Sequence, residues 1–340
     1  MQQTTKEYTR KEMLIFFLIA FGMPYLMGIP LGICQRNGWD TDAFPNAQMF
    51  YPAAGAMVAL LWTRRGMSGL TRRFYGMFLA LTLVMVGCCI GAIAAPAMNW
   101  SVICNYIIVI GCIPAWIFLL TEKKSVRQAS GLCWHGGAKA LLYVLLFILL
   151  RTASVFLSVI PSGQLGDYLA YWATPAPWVL LVILIPNFFF SFTAFFGEEY
   201  GWRYYLQPRL QQKFGPRLGV LVLGVMWGLW HLPLNLFYYS PETSLQSLTS
   251  QIIGCVALGV FFAWAYLKTN NIWVPVLLHY FNNNLIVVYA NSTEISNQVI
   301  PWSDVLIMLV VYAVLYMPVF ASKAFTRFPK IREEEVQPKS

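Results

Sequence analysis

The chain has 340 residues, 58% of them apolar and only 11% charged, with a mean hydropathy of +0.59. A soluble domain carries about 25% charged residues, so a water-soluble globular fold is excluded and an all-α, polytopic transmembrane bundle is expected. The net charge of +9 reads as topology and contact with anionic membrane lipid, not as nucleic-acid binding.

A span takes roughly 20 apolar residues. In chain order the candidates are Met13–Cys34, Met49–Trp62, Phe74–Ala95, Val102–Leu120, Ala140–Ile160, Trp178–Leu206, Leu218–Phe237, Ser250–Leu267, Ile272–Ala290 and Val305–Phe320. That is about ten helices, the second of them short. The first apolar stretch is too long for a signal peptide, and Pro24 and Pro30 interrupt it, so it is read as a retained helix. Short loops argue for one integrated bundle. Within it, residues 1–177 hold helices without recognised motifs, residues 178–290 hold the motifs, and residues 291–340 hold the last helix and a tail. The tail Lys323–Ser340 has mixed charge and reads as a solvated end.

If alternate loops are assigned to one side, beginning with the N-terminus, that side takes every one of the 23 lysines and arginines except Arg36, Arg151 and Arg203. The other side holds Arg36 with Asp40, Asp42, Asp167, Glu242, Glu294 and Asp304. The positive-inside rule then places both termini in the cytoplasm, and the plasma membrane is the expected location. The seven cysteines form no C-x-x-C and mostly lie inside spans, which reads as apolar packing rather than disulfides or zinc. Asn99-Trp-Ser101 and Asn291-Ser-Thr293 match the N-glycosylation pattern in outer loops. Arg151 lies within the fifth span, where it either braces a site or reaches the membrane edge. His135, beside Trp134 in a Gly-rich stretch, reads as a surface histidine.

Chemistry concentrates in three later segments. Glu198-Glu199-Tyr-Gly-Trp-Arg203 places Glu199 four residues before Arg203, the favourable order for a helical ion pair. Glu198 projects about 100° away and is left without a partner on its own helix. A carboxylate at membrane depth is costly, so Glu198 marks a functional site, with a base as its natural role. In Trp227-Gly-Leu-Trp-His231-Leu-Pro233, Trp227 and His231 share a face, and Pro233 loosens the helix, freeing backbone groups for a cavity. In His279-Tyr-Phe-Asn-Asn283, an imidazole and a carboxamide one turn apart can donate two hydrogen bonds to one oxygen. Taken singly, these read as a helix-end salt bridge, a packing histidine and an interhelical clamp. Measured from the nearest cytoplasmic cation, however, Glu198 and His279 lie roughly 16 Å deep, and His231 and Asn283 roughly 21 Å. A shared layer points to one polar site.

These motifs in this order resemble the CAAX protease and bacteriocin-processing enzymes, the Abi family of intramembrane proteases, among which CAAX prenyl protease type 2 is a branch. The family pattern is E-E-x-x-x-R, F-x-x-x-H and H-x-x-x-N, and the resemblance covers about Trp178–Ala290. The departure is Trp227 in place of phenylalanine, read as a change of packing more than of chemistry. The resemblance implies a peptide-bond hydrolase working within the membrane on a membrane-associated peptide. The peptide is either a prenylated CAAX-type end or a signal- or bacteriocin-like segment. It implies that Glu198 with His231 activates water, that His279 and Asn283 form the oxyanion hole, and that Glu199 and Arg203, with Trp227, give structural support. A metal-free mechanism is preferred, because H-E-x-x-H is absent and ligands would come from three helices. A zinc site of Glu198, His231 and His279 stays open. The rivals are a non-catalytic scaffold or bacteriocin self-immunity protein and a small-solute transporter, though the repeated halves of a transporter are not visible. The orientation is checked with reporters fused at either terminus: a fluorophore that matures only in the cytoplasm should light at both ends, and alkaline phosphatase should stay inactive at both.

Overall fold

The computed structural model describes residues 2–64, 69–161, 163–290 and 294–329, and among these every regular element is helical. Seven helical segments are long and apolar enough to cross a membrane: Arg10–Asn37, Arg72–Ala94, Trp100–Thr121, Gly137–Val159, Ala176–Phe214, Leu218–Tyr239 and Pro241–Thr269. The other three predicted segments are also helical but shorter, at Tyr51–Thr63, Trp273–Ala290 and Trp302–Leu315. The chain is therefore an integral multi-pass membrane protein with ten apolar helical segments, in the predicted order. The last is shorter than expected, because Pro318 ends it in a 3₁₀ turn, Met317–Ala321.

Large apolar side chains face outward where lipid would lie. On Gly137–Val159 these include Leu142, Leu145 and Leu149, and on the glutamate helix Val182 and Ile185. Tyr51–Thr63 does the opposite and is buried along most of its length. It is a half-length strut inside the bundle, preceded by the short helix Ala43–Gln48.

The loop alternation appears as two distinct faces. On one face Glu12 joins Arg64 at 3.1 Å and Arg209 at 3.1 Å. On the same face Ser130 Oγ donates to Gly69 O, Asn271 Nδ2 to His135 O and Gln212 Nε2 to Pro329 O. On the other face Asp40 accepts from the Ser101 amide, Asp42 from the Tyr238 hydroxyl, and the Asn297 amide donates to Tyr238 O. Loops assigned to one side thus touch each other. Arg65, Lys330, Arg332, Lys339 and the Asn291 sequon lie outside the described residues. Asn99 is engaged as a helix cap, accepting from the Val102 amide at 3.0 Å. All seven cysteines are buried and unpaired. His135 is half-buried.

Arg151 neither braces the polar site nor reaches an edge. Its Nη1 donates to the Tyr312 hydroxyl at 2.8 Å and to Ser154 Oγ at 3.4 Å, tying the last helix to Gly137–Val159.

The glutamate helix owes its position to two small residues. A Cβ on Gly197 would run into the Met49 carbonyl, and one on Gly201 into Pro52. Backbone therefore packs on backbone where the glutamates enter the core. Gly224 and Gly228 likewise set Leu218–Trp230 against Val256 and Ile252 of Ser244–Thr269. Gly201→Val should cost about 1–3 kcal/mol through overpacking, read as a lowered unfolding midpoint in detergent beside an unchanged control at Gly76, where a Cβ meets nothing within 4 Å.

Candidate active site

Glu198 and Glu199 end the regular helix Ala176–Glu199, and the next turn, Tyr200–Leu206, is π-helical. A π turn inserts extra backbone and is frequent at functional sites. Here it carries Trp202 and Arg203, both fully buried. Arg203 Nε donates to Glu199 Oε2 at 2.9 Å, the ion pair expected from the spacing of four. The other oxygen of Glu199 is 2.9 Å from His279 Nδ1. Glu199 thus joins its own helix to Trp273–Ala290. The guanidinium is flanked by the Trp227 and Phe262 rings, with Cζ 5.0 and 5.5 Å from their centroids.

Glu198 is handled differently. Trp227 Nε1 donates to its Oε2 at 2.7 Å, and Trp202 Nε1 donates to the same oxygen at 3.2 Å. Its Oε1 faces His279 Nε2 at 4.0 Å. Glu198 is 2% exposed and His279 4%, so the facing pair is enclosed by protein. Phe195 and Trp227 each set a ring edge-on to His279 at 5.6 Å.

His231 ends the regular part of Leu218–Trp230. Its Nδ1 lies 2.8 Å from Trp227 O. A carbonyl oxygen only accepts, so Nδ1 carries the proton and Nε2 is left as an acceptor. The Trp227 ring stands 6.2 Å from the His231 ring and 5.6 Å from the His279 ring, and so lies beside both histidines as well as Glu198. The sequence pattern suggested a packing role for this aromatic; its N–H also binds the central carboxylate.

The motif spacings leave three placements open. Contrary to the expectation from spacing, Glu198 has a partner on its own helix, Trp202 four residues on; its other oxygen faces His279, and no hydrogen bond joins it to His231 among the described residues. Asn283 is exposed, one turn beyond the buried His279, and its Oδ1 accepts from Asn282 Nδ2 at 3.0 Å. A spacing of four sets two side chains on one face but does not bury both, and this face opens by the second turn. The carbonyl freed by Pro233 is taken by a side chain. Leu229 O, which a proline at 233 leaves without its helical donor, accepts from the Tyr25 hydroxyl at 2.9 Å. Trp230 O accepts from Gln48 Nε2 at 3.1 Å, and His231 O from the Asn235 amide and Nδ2. The Trp230 indole in turn donates to Ala20 O at 2.7 Å. Tyr25 and Gln48 lie about 200 residues before the kink they cap, and no local pattern marks either of them.

No three His, Cys, Asp or Glu side chains among the described residues are arranged to hold a metal ion. His231 and His279 each hold a protein oxygen through Nδ1, so a metal would have to be met through Nε2.

The class defined by this fold and site is a multi-pass helical membrane protein with paired glutamates and two histidines in its polar core. Residues 173–285 match the family model described as Type II CAAX prenyl endopeptidase Rce1-like. That segment, about a third of the chain, carries all three motifs, so the chain is similar to this family there, and the resemblance to the CAAX protease and bacteriocin-processing enzymes rests on it. The CAAX prenyl protease 2 of Methanococcus maripaludis is 26% identical over 144 residues, covering 40% of this chain and 52% of the archaeal protein. The chain thus spans about half the length of the curated relative it matches.

Glu199→Gln should be the more destabilising of the two glutamate substitutions. It removes the charge opposite a fully buried Arg203, a loss of about 3–5 kcal/mol, and should lower the unfolding midpoint well below that of Glu198→Gln, whose indole donors keep an acceptor.

Proposed function

We propose that this protein is an intramembrane endopeptidase that hydrolyses a peptide bond of a membrane-associated substrate with water activated by Glu198. The observation that carries the reading is the asymmetry of Glu198: one oxygen is held by two indole N–H groups, and the other is open towards His279 Nε2. A carboxylate held so deep with one open oxygen has the form of a general base.

In this reading a water lies against Glu198 Oε1, and His231 Nε2 accepts its second hydrogen. Glu198 takes a proton as the water oxygen bonds to the scissile carbonyl carbon. The carbonyl π electrons move to its oxygen, which His279 and Asn283 stabilise. Because His279 Nδ1 already donates to Glu199, donation from Nε2 requires the doubly protonated ring. Asn283, being exposed, is the member an arriving substrate meets first. As the oxyanion collapses, the C–N bond breaks and the leaving nitrogen takes the proton from Glu198. Glu199 and Arg203 hold the helix in register. No step in this reading is routed through a metal: Glu198 deprotonates the water unaided by a Lewis acid. The relative's printed name points to a prenylated CAAX-type end as the first substrate to try, with signal-like peptides next. The plasma membrane, with both termini cytoplasmic, is the proposed location, and lipid and the substrate peptide are the proposed partners.

The test is cleavage of a quenched fluorescent peptide panel, including prenylated C-terminal peptides, by the full chain in detergent. Glu198→Gln should lower kcat by about 10²–10⁴-fold, as for loss of a general base, with its unfolding midpoint kept. Activity should survive phenanthroline. Activity lost with the chelator and restored by zinc would overturn the metal-free mechanism. Equal inactivity of the folded wild type and variant on every peptide would replace the enzyme reading with the scaffold or self-immunity reading.

A further inference from the structure

We infer that the Trp202 and Trp227 indoles form a two-donor clamp that occupies Oε2 of Glu198 and leaves Oε1 as its one working oxygen, so that both tryptophans are positioning residues for the base. The functional half of this inference rests on the peptidase reading; the clamp itself does not.

A carboxylate has two equivalent oxygens, and free rotation about its last bond would exchange them. Here the donors are unequally shared. Oε2 receives 2.7 and 3.2 Å bonds from two indoles, while Oε1 receives none among the described residues. Indole N–H is a donor only. It cannot take the proton that Glu198 is asked to carry, nor compete as a base. A water or hydroxyl in its place could do either. Two such donors on one oxygen therefore fix the plane of the carboxylate and direct the transferable proton to the other oxygen, on the His279 side. Glu199 shows the contrast, with each of its oxygens taken by a cationic or imidazole donor and none left open.

Both indoles are held from elsewhere. Trp202 packs edge-on against Phe16 at 6.1 Å, Phe21 at 5.6 Å and Trp230 at 5.4 Å. The N-terminal helices thus position one donor. Trp227 is fixed by Arg203 and Phe262. The clamp draws its donors from two helices, one being the glutamate's own, so a relative shift of those helices would lengthen one bond and not the other.

The test removes the N–H and little else. Trp227 is replaced by phenylalanine, which keeps a ring, and separately by 3-benzothienylalanine, which keeps the bicyclic shape and puts sulfur where the N–H stood. Trp202→Phe and the double variant complete the set, all in the full chain. For the best-cleaved peptide, each single change should lower kcat by about 10- to 100-fold, the loss expected for one hydrogen bond to a charged group. KM should stay within about twofold, since a positioning defect acts on the chemical step. The double variant should approach Glu198→Gln. Wild-type kcat in the benzothienyl protein would overturn the positioning role.

A second readout needs no activity. With ¹⁵N-indole labelling, the signals of Trp202 and Trp227, assigned by their loss in the phenylalanine variants, should both move on Glu198→Ala. The Trp116 signal, whose N–H donates to Phe189 O, should not. If neither tryptophan signal moves, the clamp is absent whatever the enzyme does. If the wild type cleaves nothing yet both signals move, the clamp stands and the peptidase reading falls with the role assigned to Oε1.

Discussion

Two adjacent carboxylates in an apolar bundle must each find donors, and much of the structure follows from how they do. Burying an ionised carboxylate without compensation costs far more than a protein's whole stability. Glu199 meets the demand with a cation and an imidazole, Glu198 with two neutral indoles. The difference separates their chemistry. Full charge pairing makes Glu199 a fixed strut, whereas indole donors satisfy Glu198 without neutralising it. The π turn after Glu199 and the close packing at Gly197 and Gly201 are the backbone side of the same requirement.

The second constraint is the proline kink. Pro233 leaves the Leu229 carbonyl without its helical donor, and a membrane interior supplies no water to cap it. Tyr25 caps it and Gln48 binds the neighbouring Trp230 carbonyl, both from far outside the segment that matches the known family. Residues 2–64 therefore take part in building the site even though they carry no motif. Phe16 and Phe21 act similarly on Trp202. The imidazole and the carboxylate are thus oriented from the same N-terminal helices.

Some of this was legible in the sequence. The Glu199–Arg203 pair follows from a spacing of four on one helix, and the ten apolar segments and their two-sided charge pattern follow from hydropathy and loop cations. The place of Trp227 beside Glu198, His231 and His279 is consistent with their estimated shared depth. What escaped was whatever depends on helix rotation. Depth cannot say that Glu199, not Glu198, takes the Nδ1 of His279, nor that the face holding Asn283 opens by the next turn. The donor role of Trp227 was hidden because an aromatic in an apolar run looks like packing. Tyr25 and Gln48 were invisible, since a lone polar residue facing a carbonyl about 200 positions away leaves no periodic trace.

The dependence on the N-terminal helices bears on how the protein is made. A chain emerges from the ribosome N-terminus first, so Phe16, Tyr25, Gln48 and the strut Tyr51–Thr63 are in the bilayer before the glutamate helix is synthesised. An acid pair delivered into bare lipid would resist insertion. Delivered beside a waiting cradle of small-residue contacts, carbonyls and aromatic rings, it exchanges the aqueous translocation route for protein without dwelling in hydrocarbon. The order of the helices along the gene is then part of the fold's chemistry: a permuted chain that presented residues 173–285 first would have to carry its two carboxylates across before anything could receive them.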